Sequence, residues 1–90
     1  MAMASWEAAS GDVEAIVEGR HDNPFGVLGL QLVDGTWAAR AFIPHAERVE
    51  AFDLKGNPLG ELRLRHPAGF FEGPVSIGER QPIRYRASNP

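Results

Sequence analysis

The sequence contains no cysteine. That absence removes disulfide staples, thiolate metal sites and a cysteine nucleophile together. Secreted domains of this size commonly depend on disulfides, so 90 residues without one point to a reducing, cytoplasmic setting. Long apolar runs are missing as well. The N-terminus, Met1-Ala2-Met3-Ala4-Ser5-Trp6-Glu7, has no basic start and no apolar stretch of signal-peptide length, and no segment is long enough to span a bilayer. Positive charge is not clustered: eight arginines and one lysine are scattered among twelve acids, for a formal net charge of −3. A phosphate backbone is gripped by grouped cations that release its counterions, so nucleic acid is not an expected partner.

What is present is an ordinary globular composition, 43% hydrophobic and 23% charged, which argues against disorder. Ninety residues make one domain, or a piece of something larger. A chain this short buries only roughly 60–65% of its unfolded surface, so its core is thin. Residues 1–10 are small and aperiodic and are expected to form a flexible N-terminus, leaving 11–90 as a single domain.

Asp12 is placed to cap a short helix, with Val13, Ile16 and Val17 at helical spacing and Gly19 as the stop. So short a helix has to dock its apolar stripe on something. From Val27 onward the period changes to two, and strands are expected near 26–33, 36–43, 47–54, 59–66, 70–76 and 82–88. Asp34-Gly35 is a tight hairpin signal, and Pro44-His45-Ala46, Lys55-Gly56-Asn57-Pro58 and His66-Pro67-Ala68-Gly69 mark further turns. Trp37, Ala39, Ala41 and Ile43 share one side of the second strand, with Arg40 on the other. Leu62 and Leu64 alternate with Glu61, Arg63 and Arg65, and Ile83 and Tyr85 with Arg84 and Arg86, the pattern of one buried and one wet face. In the third strand Val49 and Ala51 oppose Phe52 and Leu54, which a β-bulge would reconcile. The expected fold is all-β, an immunoglobulin-like antiparallel β-sandwich of six to seven strands with one short N-terminal helix.

Groups that could carry chemistry are few. The acids mostly alternate with apolar residues, as on a solvated face, so no catalytic carboxylate pair is assigned. His21-Asp22 and His45/Glu47 read as turn residues, since no second histidine lies at metal-ligand spacing. Ser76 lacks the glycine-flanked elbow of a hydrolase nucleophile. No cofactor or metal site is expected. The one hint of ligand binding is aromatic: Trp37 and Phe70 are candidate platforms for the C–H face of a glucan, and the adjacent rings of Phe70 and Phe71 should point to opposite faces, one of them exposed.

One stretch, His21-Asp22-Asn23-Pro24-Phe25-Gly26-Val27-Leu28-Gly29, is more specific than any composition argument. It is followed by Arg40-Ala41-Phe42-Ile43-Pro44-His45-Ala46, then by Gly69-Phe70-Phe71-Glu72-Gly73, and last by Arg84-Tyr85-Arg86. In that order these segments resemble the first domain of bacterial 1,4-α-glucan (glycogen) branching enzymes of the α-amylase superfamily. The residues that carry the resemblance are Asp22, Pro24, Phe25, Leu28, Gly29, Arg40, Pro44, Ala46, Gly69, Phe71 and Tyr85. Their physical roles read as architectural. Pro24 ends the helical region, Phe25 and Leu28 plug the sandwich end, and Gly29 permits close backbone approach. Pro44 breaks a ladder where the chain changes sheets, and Tyr85 offers a ring to the core and a hydroxyl to a backbone partner.

The resemblance implies a non-catalytic accessory domain cut from a larger cytoplasmic enzyme, one that transfers α-1,4-glucan segments to form α-1,6 branches. The catalytic residues of that enzyme belong to a barrel outside this sequence. The implied partners are the remaining domains and α-1,4-glucan or glycogen, and the implied work is interdomain packing and an influence on transferred chain length. An independent α-glucan-binding module and a protein-interaction sandwich are the rival readings.

Overall fold

In a computed structural model, which describes residues 6–88, the chain forms one short helix and six antiparallel strands. Helix α1 covers Ser10–Val17 and a single 3₁₀ turn covers Pro24–Gly26. The strands are β1 Gly29–Val33, β2 Thr36–Phe42, β3 Arg48–Asp53, β4 Pro58–His66, β5 Phe70–Pro74 and β6 Ile83–Ser88. They hydrogen-bond in the order β1-β2-β5-β4-β3-β6. One curled sheet thus supplies both layers of an all-β sandwich, with β4 as the shared strand. The first half of β4 pairs with β3 and the second half with β5.

The alternation read from the sequence places side chains as expected on most strands. Ala39, Ala41, Val49, Ala51, Leu62 and Phe71 fill the space between the layers, with Trp37, Ile43, Ile83 and Tyr85 packed around them. The opposite face of β2 and β5 carries Phe70, which packs with Ala8, Val13, Ile16 and Val27. Helix α1 therefore covers the outside of one layer, as the shortness of its apolar stripe requires.

Helix α1 starts earlier than expected. Ala9 stands at the N-cap with no side-chain cap, and Asp12 lies inside the first turn. The Asp12 carboxylate is taken by His21, whose Nε2 is 2.9 Å away. The stop is as read: Gly19 has φ +70, and the Arg20 and Gly19 amides donate to the Ala15 and Ile16 carbonyls at 2.9 and 3.1 Å. Residues 1–5 of the expected flexible segment lie outside the described residues. Farther along it, Ala8 is buried and donates its amide to Glu72 at 2.9 Å, so the chain is anchored before residue 10.

The first strand begins at Gly29 rather than 26, because the 3₁₀ turn uses the Pro24 carbonyl to accept from both Val27 and Leu28. Gly29 is needed for its backbone: φ is +84, and nothing would meet an added Cβ, so close approach is not the reason. Asp34 and Gly35, both at positive φ, make the β1–β2 hairpin. The bulge near Phe52 exists, but its extra residue is Leu59 on β4, since Ala51 faces Gly60 and Phe52 faces Pro58. Leu59 turns to the core while Phe52 stays outside beneath the Arg86 guanidinium. Leu64 is 49% exposed, against expectation. Strand β3 pairs with β4 only as far as Leu62, and Leu64 lines an open recess beyond the end of that pairing.

The turn between β4 and β5 is the tightest point of the fold. Gly69 has φ +119, and a Cβ there would lie 2.7 Å from both the Ile43 carbonyl oxygen and Pro44 Cα. The Gly69 carbonyl in turn accepts from the Ile43 amide at 2.8 Å, fastening the turn to the end of β2. Gly69→Ala adds backbone strain to a main-chain overlap and should cost at least about 2–3 kcal/mol. Against a total near 5 kcal/mol for a small domain, that is half the stability. Urea denaturation should show the loss, while Gly78→Ala, with open space around the site, stays within about 0.5 kcal/mol of the parent.

Candidate functional site

The most concentrated chemistry in the molecule lies between α1 and the sheet. Arginines from β2 and β4 converge there on one carboxylate of β5. Glu72 is fully buried, placed on the helix side of β5 directly opposite Arg40 on β2 and Arg63 on β4. Its Oε1 accepts from the Ala8 amide and lies 3.7 Å from Arg40 Nε. Its Oε2 accepts a short charge-assisted bond from Arg65 Nη1. Both oxygens are engaged and the side chain is fully buried, so neither oxygen is presented to solvent.

Arg40 extends the network to the N-terminal segment and to the loop before β1. Its Nη2 donates to the Trp6 carbonyl at 2.8 Å and its Nη1 to the Val27 carbonyl at 3.3 Å. Burial pushes the Arg40 guanidinium below its ordinary value, and the Glu72 charge pulls it back up. An arginine so placed remains cationic. Glu7 accepts from Arg63 at 3.1 Å and lies 3.7 Å from Arg65, and Arg63 stacks over the Trp6 ring. A carboxylate with two guanidiniums and a backbone amide in this arrangement is a clamp that fixes the N-terminal segment against the sheet.

Two histidines fasten the same helix. His21 Nδ1 accepts from the Asn23 amide while Nε2 faces Asp12. His66 Nδ1 accepts from the Ala68 amide at 3.0 Å while Nε2 lies 3.6 Å from Glu14. His45 stands apart with φ +72. Among the described residues no three His, Cys, Asp or Glu side chains gather at metal-binding geometry. The serine in question, Ser76, donates its amide to the Leu59 carbonyl and extends the β4–β5 edge.

The two sugar-platform candidates fare poorly. Phe70 is 0% exposed beneath α1, and Phe71 is buried on the other face between the layers. The expectation that one of this pair is exposed fails because both faces of β5 are covered. Trp37 is half-buried against the core, with the Arg80 guanidinium 5.2 Å from its ring centroid. Phe70 therefore offers no open face, and Trp37 is only partly exposed.

Several signature residues sit where their physics requires. Pro24 opens the 3₁₀ turn, Leu28 packs on the helix-side cluster, and Pro44 is at the crossing from β2 to β3 with half-buried Ala46 just beyond. Asp22 is exposed. Tyr85 packs its ring on the core, but its buried hydroxyl finds no hydrogen-bond partner among the described residues, contrary to the expected backbone bond. Phe25 is the larger departure. It plugs nothing and is 86% exposed. The 3₁₀ turn lifts it off the sandwich end, leaving Leu28 alone on the apolar side.

The sequence alone did not single out Glu72 and Arg65. The available signal was an acid set in the middle of a strand after two phenylalanines. Glu72→Gln leaves Arg40 and Arg65 without their shared counter-charge and should cost about 3–5 kcal/mol, read by chemical denaturation. Burial also raises the Tyr85 phenol above its usual value. The folded state then keeps that proton to a higher pH than the unfolded state does. This contribution is complete below about pH 10 and is lost as pH rises beyond it. Tyr85→Phe should be no less stable at neutral pH and should flatten the alkaline fall of the urea midpoint.

No helix among the described residues is long and apolar enough to cross a membrane. Residues 9–89 match the family model of the alpha-1,4-glucan branching enzyme GlgB, N-terminal domain. The chain is 53% identical over 78 residues to the 1,4-alpha-glucan branching enzyme GlgB of Rhizobium meliloti, covering 87% of this chain and 11% of that protein. It is 52% identical over 82 residues to the corresponding enzyme of Mesorhizobium japonicum, covering 91% and 11%. A more distant relative, from Rubrobacter xylanophilus, is 43% identical over 72 residues, covering 80% and 10%. The chain thus spans about one-tenth of the length of these relatives. With the match extending over nearly its whole length, the chain belongs to the family of the N-terminal domain of the alpha-1,4-glucan branching enzyme GlgB.

Proposed function

We propose that this chain is a non-catalytic accessory domain of a cytoplasmic 1,4-α-glucan branching enzyme. It packs against the remaining domains and influences the length of the α-1,4-glucan segment that the enzyme transfers to form an α-1,6 branch. The observation that carries the reading is the closure of Glu72. This fully buried carboxylate has its oxygens committed to Arg65, to the Ala8 amide and to the charge of Arg40. Glycosyl transfer in this superfamily needs two carboxylates with access to the sugar, one as nucleophile and one as acid and base. The exposed acids on the strands do not supply such a pair. Glu50 and Glu61 face one another across β3 and β4 on the outer surface, and Arg48 occupies Glu61 at 2.9 Å. The absence of cysteine fits a reducing compartment.

An accessory role places the effect in the product rather than in the bond-making step. A domain that holds its neighbours in position changes how a long chain lies relative to the reacting centre. The test compares the intact branching enzyme with a form lacking residues 1–88, using amylose as donor. Debranching the products and measuring their chain lengths should show a shifted transfer profile with branching activity retained. Identical profiles from the two forms would sink the chain-length role.

A further inference from the structure

From the exposed aromatic at position 25 we infer that the 3₁₀ turn and the cleft beside it are the face on which this domain docks the following part of its own enzyme. The inference rests on the accessory-domain reading and names the surface that reading needs.

Phe25 is presented, not merely uncovered. The carbonyls of Asn23, Pro24, Phe25, Val27 and Leu28 are all held. Asn23 accepts from Gly26, and Pro24 accepts from Val27 and Leu28. Phe25 and Leu28 both accept from Gln31 Nε2, at 3.2 and 3.1 Å, and Val27 accepts from buried Arg40. Proline fixes φ at the first position of the turn. An 86% exposed ring on so constrained a backbone loses little conformational freedom when it is buried in a partner, which is the property of a binding anchor. Beside it opens a cleft of about 230 Å³, mostly apolar, lined by Ile16, Gly19, His21, Pro24, Leu28 and Phe42. A projecting ring and an apolar recess together form a surface that a second folded surface can interlock with.

The occupant follows from where the chain goes. Phe42 pairs with Phe70, the Ile43 amide donates to the Gly69 carbonyl, and the Glu47 amide donates to the Ser88 carbonyl at 2.7 Å. These contacts put the turn from β2 to β3, the turn from β4 to β5 and the end of β6 at one end of the sandwich. Leu28 packs at that same end beside Phe42. In the relatives the matched segment is about one-tenth of the enzyme and is its N-terminal domain, so their polypeptide continues past the strand equivalent to β6. It leaves from the end that carries Phe25. Covalent attachment at that end gives the downstream polypeptide an effective concentration on the order of millimolar, far above that of a separate molecule. The opposite end, with Leu54 exposed in the β3–β4 turn, lacks this proximity.

The experiment installs a photoreactive side chain, Phe25→benzoylphenylalanine, in the intact branching enzyme that carries this domain. The same replacement is made in parallel at Leu32, Leu54 and Leu64, the other exposed apolar side chains. The expected result is an intramolecular link from position 25 to residues beyond the domain and none from position 54. Phe25→Asp should leave the unfolding midpoint of the 90-residue chain unchanged, and in the intact enzyme it should raise amide exchange of residues 24–31 to the level of that chain alone. Links to downstream residues from position 32, 54 or 64 but not from 25 would overturn the assignment of this face and leave interdomain packing standing. Links from position 25 that join two copies of the enzyme would overturn it in favour of self-association. No link from any position would remove both the face and the packing role.

Discussion

The fold depends on one buried carboxylate. Removing an ion from water costs several kcal/mol, and Glu72 recovers that only because two guanidiniums and an amide surround it. Each of those partners belongs to a different part of the chain. Arg40 lies on β2, Arg65 on β4, and the amide is that of Ala8, ahead of the helix. A misplaced N-terminal segment would leave the charge unsatisfied, so the clamp specifies where that segment and α1 must lie. Arg40 then passes the constraint outward through the Trp6 and Val27 carbonyls. The loop that carries Phe25 is thereby held by the same residue that answers Glu72.

This arrangement explains how so small a sandwich supports a helix. The inter-sheet core is built from alanines, valines and leucines around Phe71, and it is narrow. Phe70, on the other face of the same strand, starts a second cluster that α1 completes. Adjacent phenylalanines pointing to opposite sides let β5 serve as the wall between two apolar spaces. The charged clamp sits at the edge of the second space. Apolar contact supplies attraction there, while the ion network supplies position.

Much of the architecture was legible from the sequence because strands and turns are local signals. Period-two alternation located all six strands, and glycine at positive φ marked the hairpin and the helix stop. The errors have a common origin in contacts that the hydropathy pattern does not record. Asp12 suited an N-cap, but His21 claimed its carboxylate. Leu64 kept the correct alternation, yet its strand had already parted from β3. Phe70 and Phe71 were equivalent by pattern, and only the docking of α1 decided that neither would face water. Phe25 had the composition of a plug, and the hydrogen bonds of the 3₁₀ turn made it a projection.

The order of strands and turns, the identity of the core-facing residues and the family signature were fixed by the amino-acid sequence, since each depends on neighbours within a few positions. Tertiary structure alone decided which charge would be buried and which aromatic would be left in water. The burial of Glu72 is set by partners up to 64 positions away, and the exposure of Phe25 by the hydrogen bonds its turn makes in three dimensions. Glu72 and Ala8 are 64 positions apart, and no local pattern records that they meet.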